Sequence, residues 1–387
     1  MYNIKLLNKI AKIGTNALTP DRYTLGDAVE NPDGILVRSA SMHEMEFGSN
    51  LKAIARAGAG VNNIPIERCS EQGVVVFNTP GANANAVKEL ALAALLLASR
   101  KIVDGINWAS TLTGDDVAKQ VEAGKSAFVG PELYGKTLGV IGLGAIGAQL
   151  ANTATHLGMG VYGHDPYITV DAAWHLRQSV QKASTRDEIY ANCDYISLHV
   201  PSTPETKGMI NKETIAKMKD GVRIINLARA DLVNADDIKE ALASGKVGSY
   251  VTDFPTPETV GVPGIVAIPH LGASTPESED NCAVMAAAEI KDFLENGNIR
   301  NSVNYPDAVI PASEFNRICI FHKNIPNVLA QITAVLSEQN INVENLVNRS
   351  KKDNAYTLVE FSGNANEGIY NAIKNVESVV RITVIEK

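Results

Sequence analysis

The sequence predicts an α/β protein in which two domains with doubly wound parallel sheets precede a smaller C-terminal α/β domain. The first observation is residues 137–165, where a short apolar strand, a glycine-rich turn, a helix and a second strand follow one another. Short β-branched runs alternate with helical stretches on both sides of this segment, as in parallel sheets with crossover helices. Residues 314–387 instead have the order strand, helix, strand, strand, helix, strand, which is the ferredoxin-like order.

Length and composition limit the possible partners. A chain of 387 residues is long for a single hydrophobic core, so two or three domains are expected. The formal net charge of −8 argues against nucleic acid or an anionic membrane as the main partner, and a small anionic substrate would need a local basic pocket. The most apolar run, residues 90–98, is too short to cross a bilayer, and the start of the chain does not resemble a signal peptide.

The four cysteines are far apart and lack the spacing of metal ligands. They are Cys69, Cys193, Cys282 and Cys319. We therefore expect reduced thiols, no metal site and a cytoplasmic protein.

Residues 137–165 predict a dinucleotide site of the Rossmann type. A strand is expected over Leu138–Ile141 and a helix over Ala145–His156, and the turn between them is formed by Gly142, Gly144, Ala145 and Gly147. Glycines here allow a tight turn and a close approach of a pyrophosphate, which the N–H groups of the helix start can bind. A second strand, Val161–Gly163, leads to Asp165, eighteen residues after Gly147, where a carboxylate can bind the adenosine ribose. The alternative is an ordinary turn between a strand and a helix.

The N-terminal region predicts a site for an anion. Three apolar strands are expected there, over Gly34–Val37, Leu51–Ile54 and Val74–Phe77. Arg38 and Ser39 follow the first strand and Arg56 follows the second, and ligands collect at the carboxyl ends of strands in open α/β sheets. Gly58 and Gly60 indicate that backbone comes close to a ligand. The alternatives are solvated surface arginines and a plain glycine turn.

Polar residues follow strand after strand in the second half of the chain. Apolar strands are expected over residues 195–200, 223–227, 248–253 and 265–268. The residues at their carboxyl ends are His199, Val200, Pro201, Leu227, Ala228, Arg229, Asp253, Pro269 and His270. Their recurrence at one edge of a sheet favours chemistry over coincidence.

Three side chains suit the removal of a hydride from a secondary alcohol. His270 can accept the hydroxyl proton, because imidazole titrates near neutral pH. Arg229 can bind a carboxylate or a carbonyl oxygen through its planar guanidinium. Glu258 can pair with His270 and raise the pKa of the imidazole. From spacing alone, a structural role for each of the three is equally open.

Five motifs in order resemble the D-2-hydroxyacid dehydrogenase family over essentially the whole chain. They are GLGAIG with Asp165, LHVPSTPETKGMI, NLARADLV, the segment at Asp253, and PHLGAST. The resemblance implies NAD as the cofactor and Arg229, Glu258 and His270 as catalytic residues. It also implies cofactor contacts at Thr79, Ile146, Asp165, Thr206, Ala228, Asp253 and Gly272, and substrate contacts at Arg38, Ser39 and Arg56.

One departure from the family pattern concerns Glu258. The usual D-V-F-x-x-E-P is replaced here by D-F-P-T-P-E. Counted from Asp253, the acid keeps its offset of five residues, whereas counted from Phe254 it comes one residue late. Glu258 stays the expected acid because no other carboxylate lies between Asp253 and His270.

The resemblance also implies a domain organisation. Residues 1–90 would form a substrate-binding domain, which a returning helix near residues 285–305 completes. Residues 91–284 would form the NAD-binding domain, and a helix is expected over Pro276–Asn296. Residues 298–313 have little periodicity and several turn formers, so they are expected to be a linker, and residues 314–387 an ACT domain.

In relatives inhibited by serine, the ACT domain binds the amino acid through residues that match His322, Asn324 and Asn342. L-Serine is therefore the expected effector. The usual Pro-Gly at the start of the next helix is Pro326–Asn327 here, which adds a side chain where the backbone is usually bare. The alternative is an ACT domain that serves subunit contact alone.

The resemblance implies the NAD-dependent oxidation of 3-phosphoglycerate to 3-phosphooxypyruvate, the first step towards L-serine. Glycerate (with hydroxypyruvate) and 2-hydroxyglutarate are alternatives, because the arginines suit any such anion. NAD-sensing corepressors form a different class with the same fold, but Arg229, Glu258 and His270 argue against it. A homodimer or homotetramer with neither a nucleic-acid nor a membrane partner is expected.

Overall fold

The computed structural model describes residues 1–363 and 367–387. They form two compact units, one of residues 1–83 together with 276–387 and the other of residues 84–275. Among the described residues, no helix has both the length and the apolarity that a membrane crossing requires. Positions 90 and 284, where we expected domain boundaries, lie inside helices, and the change of unit comes at the first residues of those helices.

A five-stranded parallel sheet opens the first unit, in the order β2-β1-β3-β4-β5. Its strands are β1 (Tyr2–Leu7), β2 (Tyr23–Gly26), β3 (Gly34–Val37), β4 (Ala53–Arg56) and β5 (Val75–Asn78), with helices α1 (Lys12–Thr15) and α2 (Ile66–Glu71). All four residues of β3 are buried between β1 and β4, as expected for an apolar run in the middle of a covered sheet. The predicted bounds of β3 are confirmed, whereas β4 starts two residues and β5 one residue later than expected.

The second unit contains a seven-stranded parallel sheet in the order β12-β11-β10-β9-β6-β7-β8. Its strands are β6 (Thr137–Ile141), β7 (Gly160–His164), β8 (Val180–Lys182), β9 (Tyr195–Leu198), β10 (Val222–Asn226), β11 (Val247–Thr252) and β12 (Ile265–Ala267). Its helices are α3 (Ala84–Arg100), α4 (Ile102–Ala109), α5 (Val117–Gly124), α6 (Ala145–His156), α7 (Val170–Trp174), α8 (Arg186–Asn192), α9 (Lys212–Ala216) and α10 (Ala235–Ala243), with short 3₁₀ helices at Lys125–Phe128 and Ala230–Leu232. Two separate hydrophobic cores pack against this sheet, so the predicted Rossmann-like architecture is confirmed for this unit.

Helix α11 (Pro276–Asn296) belongs to the first unit and has the predicted bounds. Four of its apolar residues share a core with Ile4 and Leu36 of the first sheet; they are Ala283, Ala287, Ile290 and Phe293. The helix therefore covers one face of that sheet.

The segment expected to be a linker, residues 298–313, is packed against the edge strand β5. Asn304 is buried, and its side chain accepts the N–H of Val76 at 2.9 Å and donates to the carbonyl of Val74 at 2.9 Å. The hydroxyl of the buried Tyr305 donates to the carbonyl of Ser70 at 2.9 Å. Its polar side chains thus bind the backbone at this edge, a role that turn-forming composition alone does not reveal.

The chain ends in a small antiparallel sheet of order β14-β15-β13-β16, and the predicted βαββαβ order is confirmed. The elements are β13 (Asn316–Lys323), α12 (Val328–Glu338), β14 (Asn342–Lys351), β15 (Asn354–Ser362), α13 (Glu367–Lys374) and β16 (Val379–Ile385). The two helices and the sheet enclose a separate core that includes Ile320, Ile332 and Phe361.

Two arginines fix the small sheet within the first unit. Arg317 is fully buried and forms an ion pair with Glu360 at 2.6 Å, and it also donates to the carbonyl of Asn296 at the end of α11. Arg381 donates to the carbonyls of Ser49 and Leu51 before β4. Because these bonds link the small sheet to α11 and to the first sheet, the three parts are held together within one unit.

Candidate active site

The glycine-rich turn after β6 leaves no room for side chains at two positions. Gly142 has φ of +94°, and a Cβ there would overlap the carbonyl of His199. A Cβ on Gly147 would overlap the carbonyl of Gly142, where α6 crosses the turn. Glycine is therefore required at both positions by the contact of backbone with backbone.

The third glycine, Gly144, is different because it faces open space. No atom lies within 4 Å of a Cβ built on it, and it precedes α6 without a side-chain cap on the helix. The N–H groups of the helix start and the bare backbone leave space for a phosphate group beside Ala145 and the half-buried Ile146. These residues fit the pyrophosphate of a dinucleotide.

Asp165 is held against the same turn. Its Oδ2 accepts the N–H of Leu143 at 2.9 Å, and its Oδ1 accepts the N–H of Tyr167 at 2.9 Å. The carboxylate is therefore fixed one strand away from the glycines, where the sequence placed it. It also lines a cavity of about 170 Å³ together with Leu143 and Ile168.

The strand end at β9 carries His199, Val200 and Pro201. The Nε2 of His199 is 2.8 Å from the hydroxyl of the buried Ser197, and burial lowers the pKa of His199 to about 4, so the ring is neutral at pH 7. Thr206 donates its hydroxyl to the carbonyl of Pro201 at 2.6 Å. Its side chain thus shapes the loop that follows the strand.

Asn226, at the end of β10, is a residue that the sequence analysis missed. It is fully buried, and its side chain accepts the N–H of Ala228 at 3.2 Å and donates to the carbonyl of Arg229 at 2.8 Å. Arg229 in turn donates from its guanidinium to the carbonyl of Ala228 at 2.6 Å, beyond the buried Leu227. The available signal for a positioning role was a polar residue directly after the apolar pair Ile224 and Ile225.

The buried Asp253 organises the residues after β11 and β12. Its carbonyl accepts the N–H of His270 at 3.0 Å, and its carboxylate accepts the N–H of Gly272. Burial raises the pKa of Asp253, whereas the charges of His270 and Arg229 act in the opposite direction. Its Oδ1 is buried and has no hydrogen-bond partner among the described residues. The charges of His270 and Arg229 therefore both act on one buried carboxylate.

His270 itself is exposed, and its ring lies 4.8 Å from the ring of Phe254, centroid to centroid. The imidazole is thus positioned by an aromatic neighbour and by its backbone bond to Asp253, while its polar edge stays accessible.

The expected pairing of Glu258 with His270 does not form in this structure. Glu258 is exposed, and its hydrogen bond with Thr256 lowers the pKa of its carboxyl. The charges that act on it belong to Lys239 and Asp236, and in the part of the chain that the structure describes no bond joins it to His270. The physical reason is a tight turn in which the N–H of Thr256 bonds the hydroxyl of Thr259 at 2.9 Å.

In the first unit, the structure brings the predicted substrate residues together. The backbone N–H groups of Arg38, Ser39 and Ala40 all donate to Oδ1 of Asn8, at 3.4, 3.0 and 2.8 Å. Arg56 donates from Nε to the carbonyl of Arg38 at 3.0 Å, and burial lowers the pKa of its guanidinium. Asn8 was missed because its side chain acts from a different loop, the one that follows β1.

The loop after β4 packs tightly on this arginine. A Cβ on Gly58 would overlap the guanidinium of Arg56, and the carbonyl of Gly58 accepts the N–H of Thr79 at 3.1 Å. Thr79 is fully buried, and its hydroxyl has no hydrogen-bond partner among the described residues.

The three predicted effector residues do not all meet. The ring nitrogens of the buried His322 are 2.9 Å from the carbonyl of Lys323 and 2.9 Å from the hydroxyl of Thr357. Asn324 donates to the carbonyl of Lys352, and a cavity of about 330 Å³ is lined by both residues together with Asn327, Asn348 and Arg349. Asn342 is not part of that lining, and its amide donates to Glu344 at 2.6 Å.

Asn327 adopts the left-handed conformation, with φ of +73°, at the start of α12. Asparagine is the residue that most often replaces glycine in this conformation. The exchange of Pro-Gly for Pro326–Asn327 therefore keeps the backbone path, and the side chain lies in the lining of the cavity.

No group of three or more His, Cys, Asp or Glu residues that could hold a metal ion occurs within residues 1–363 and 367–387.

Comparison with known sequences identifies relatives over most of the chain. D-3-phosphoglycerate dehydrogenase of Bacillus subtilis is 35% identical over 321 residues, which are 81% of this chain and 58% of that protein. The enzyme of the same name from Methanocaldococcus jannaschii is 33% identical over 342 residues, 85% of this chain and 62% of that protein. The chain thus spans about half to three-fifths of the length of such relatives.

Solved structures with a similar fold include NAD⁺-bound 3-phosphoglycerate dehydrogenase of Entamoeba histolytica. It is 28% identical, with a TM-score of 0.61, over 78% of this chain and 98% of that chain. A glyoxylate reductase from Paecilomyes thermophila, 24% identical with a TM-score of 0.64 over 78% of this chain and 98% of that one, shows the fold alone. Residues 92–272 match the family model of the D-isomer specific 2-hydroxyacid dehydrogenase, NAD binding domain. Residues 92–272 therefore form an NAD-binding domain of the type found in the D-isomer specific 2-hydroxyacid dehydrogenases.

Proposed function

We propose that this protein catalyses the NAD-dependent oxidation of 3-phosphoglycerate to 3-phosphooxypyruvate, the first step of L-serine biosynthesis. The observation that carries the proposal is the buried Asp253 of the NAD-binding unit, whose carbonyl accepts the N–H of His270 and on whose carboxylate the charges of His270 and Arg229 both act. The names of the relatives supply the substrate, since several are D-3-phosphoglycerate dehydrogenases.

In this reaction, the hydroxyl group of the substrate gives its proton to His270 while the carbon that bears this hydroxyl loses a hydride. NAD, when bound, supplies the nicotinamide carbon that accepts the hydride. His270 suits the base because its ring is exposed and is held by Phe254 and by the backbone of Asp253. Arg229 binds the carboxylate of the substrate and orients the reacting carbon, since its guanidinium offers a planar pair of donors.

Asp253 stabilises the positive charge that His270 gains. A buried carboxylate with an unpartnered oxygen favours cations nearby, and His270 and Arg229 are the charges that act on it. The role that the family resemblance gives to Glu258 stays a prediction, because its hydrogen bond is to Thr256.

Cofactor binding follows from the glycine-rich turn. We assign the pyrophosphate to the turn at Gly142, Gly144 and Gly147 and the start of α6, and the adenosine ribose to Asp165. The remaining proposed contacts are Thr79, Ala145, Ile146, His199, Val200, Pro201, Thr206, Leu227, Ala228 and Gly272.

Arg38, Ser39, Arg56 and Gly58 are assigned to the anionic groups of the substrate. In support of this assignment, the loop bonded to Asn8 carries Arg38 and Ser39, and Arg56 donates to the carbonyl of Arg38. Two neighbouring arginines suit the phosphate of the substrate, while Arg229 binds its carboxylate.

The remaining proposals concern domains and regulation. We propose that residues 1–83 with α11 form the substrate-binding domain, residues 84–275 the NAD-binding domain and residues 314–387 an ACT domain. Its expected ligand is L-serine at His322 and Asn324, and the protein would act as a homodimer or homotetramer in the cytoplasm. The support for the ACT assignment is the βαββαβ order and the cavity beside α12.

The test is the initial rate of NADH formation with 3-phosphoglycerate, glycerate and 2-hydroxyglutarate, in the unmodified protein and in His270→Gln. We expect the highest kcat/KM with 3-phosphoglycerate and its loss in the variant. A higher kcat/KM with one of the other acids would reassign the substrate. Binding of NAD without turnover of any acid would favour an NAD-sensing protein.

A further inference from the structure

Arg38, which is proposed to bind substrate, already has an anionic partner in the same unit. Its Nη2 lies 2.6 Å from Oε1 of Glu279, in the first turn of α11. The two side chains are 41% and 45% exposed, so water and salt screen the ion pair. An ion pair of this kind is weak enough for a more highly charged anion to displace.

The neighbouring arginine does not share this partner. Arg56 donates from Nε to the carbonyl of Arg38. Burial is the main cause that lowers the pKa of Arg56, and the positive charge of Arg38 lowers it further. Of the three side chains, two are positive and one is negative. Glu279 thus cancels part of the positive charge that an incoming anion would meet.

Building on the proposed function, we propose that Glu279 is a specificity-determining residue that competes with the anionic group of the substrate for Arg38. Binding of substrate then requires the Arg38–Glu279 ion pair to open. Because a phosphate carries more negative charge than a carboxylate, the carboxylate of Glu279 opposes a phosphorylated acid more than a simple one. Glu279 therefore makes the preference for 3-phosphoglycerate over glycerate smaller than it would be without this carboxylate.

Helix α11 provides a matched control. Glu277 lies in the same first turn and contributes similarly to the helix dipole, but residues two apart do not share a helix face. Replacing Glu277 by Gln therefore removes an equal charge from the helix start without opening the Arg38 ion pair.

The experiment compares Glu279→Gln and Glu277→Gln with the unmodified full-length chain. For Glu279→Gln, we expect KM for 3-phosphoglycerate to fall by about two- to fivefold, the usual range for an exposed charge pair, with kcat within about twofold. The fold-change in KM for glycerate should be less than half of the fold-change in KM for 3-phosphoglycerate. Glu277→Gln should leave both KM values unchanged.

A rise in KM for 3-phosphoglycerate in Glu279→Gln would overturn the inference, since Glu279 would then orient Arg38 for the substrate. An equal change for both acids would contradict the specificity role. Calorimetric titration with inorganic phosphate tests the competition separately from turnover. We expect tighter phosphate binding in Glu279→Gln, no change in Glu277→Gln and a loss in Arg38→Gln. Unchanged phosphate affinity in Glu279→Gln would refute the competition, whether or not any acid is turned over. Absence of turnover with every acid would refute the proposed function.

Discussion

The glycine-rich turn of the second unit and the cavity beside α12 in the small sheet are both built at the start of a helix, but in opposite ways. At the turn, Gly142 and Gly147 are fixed by contact of backbone with backbone, and Gly144 leaves the helix start bare. At the cavity, Asn327 adopts the left-handed conformation and His322 uses both ring nitrogens within its own sheet. The first arrangement leaves backbone groups for a ligand, whereas the second already satisfies many of its polar side chains.

A short sequence motif determines the first kind of site but not the second. A turn that depends on steric exclusion is specified by residues adjacent in sequence, because one added Cβ would collide with the chain itself. A site that depends on side chains from β13 and β14 also needs the correct register and free hydrogen-bonding groups. At the cavity, Asn342 lies outside the lining, and both ring nitrogens of His322 are already bonded within the small sheet.

The largest expected effect is in the second unit. His270→Ala should lower kcat by roughly 10²–10⁴-fold, the usual contribution of a positioned acid–base group, while NADH affinity changes little. Steady-state kinetics and a fluorescence titration with NADH measure the two effects. If the variant keeps more than about a tenth of the activity, another group is the base.

The two kinds of glycine should respond differently to alanine. Gly147→Ala should destabilise the protein by about 1–3 kcal/mol, the usual cost of overpacking, because its Cβ would overlap the carbonyl of Gly142. Gly144→Ala should leave stability unchanged and weaken NADH binding, since its Cβ enters open space. Urea unfolding and NADH titration of both variants decide this. Equal stability of the two would contradict the steric argument.

The two carboxylates near His270 should also be unequal. Asp253→Asn should lower kcat/KM for reduction of the keto acid by roughly tenfold, because it removes a charge that stabilises the imidazolium. The rate of reduction should also decline at a lower pH than in the unmodified protein, because the negative charge of Asp253 is lost. Glu258→Gln should change the pH profile little, since Glu258 is exposed and bonds Thr256. A larger shift of the pH profile in Glu258→Gln than in Asp253→Asn would instead support the pairing of Glu258 with His270 that the family resemblance implies.

The smallest effect is expected at the cavity beside α12. L-Serine at about 1 mM, enough to fill weak sites, should inhibit slightly or not at all, because Asn327 narrows the cavity. Asn327→Gly should strengthen any inhibition and keep the backbone path, with Asn342→Ala as the control outside the lining. Inhibition at micromolar serine in the unmodified chain would show that Asn327 does not obstruct the site. Deleting the small sheet is a poor control, since Phe321 and Tyr356 share a core with Tyr305.

Strand β3 and helices α6 and α11 were predictable with their bounds, because apolar runs and glycine signals act within one element. Asn8 and Asn226 were not predicted as positioning residues, since each acts through hydrogen bonds that depend on the folded loop. The direction of Glu258 likewise depends on the turn formed by Thr256 and Thr259, which counting residues from Asp253 does not reveal. Side-chain direction in loops was therefore the part that the sequence alone could not supply.

We propose that this chain oxidises 3-phosphoglycerate with NAD bound at the glycine-rich turn and Asp165. The most direct measurement is kcat/KM for NAD and for NADP with 3-phosphoglycerate as substrate. We predict turnover with a preference for NAD of at least about tenfold, because the carboxylate of Asp165 repels the 2′-phosphate of NADP. No NADH formed from 3-phosphoglycerate, or comparable values for the two cofactors, would contradict this account.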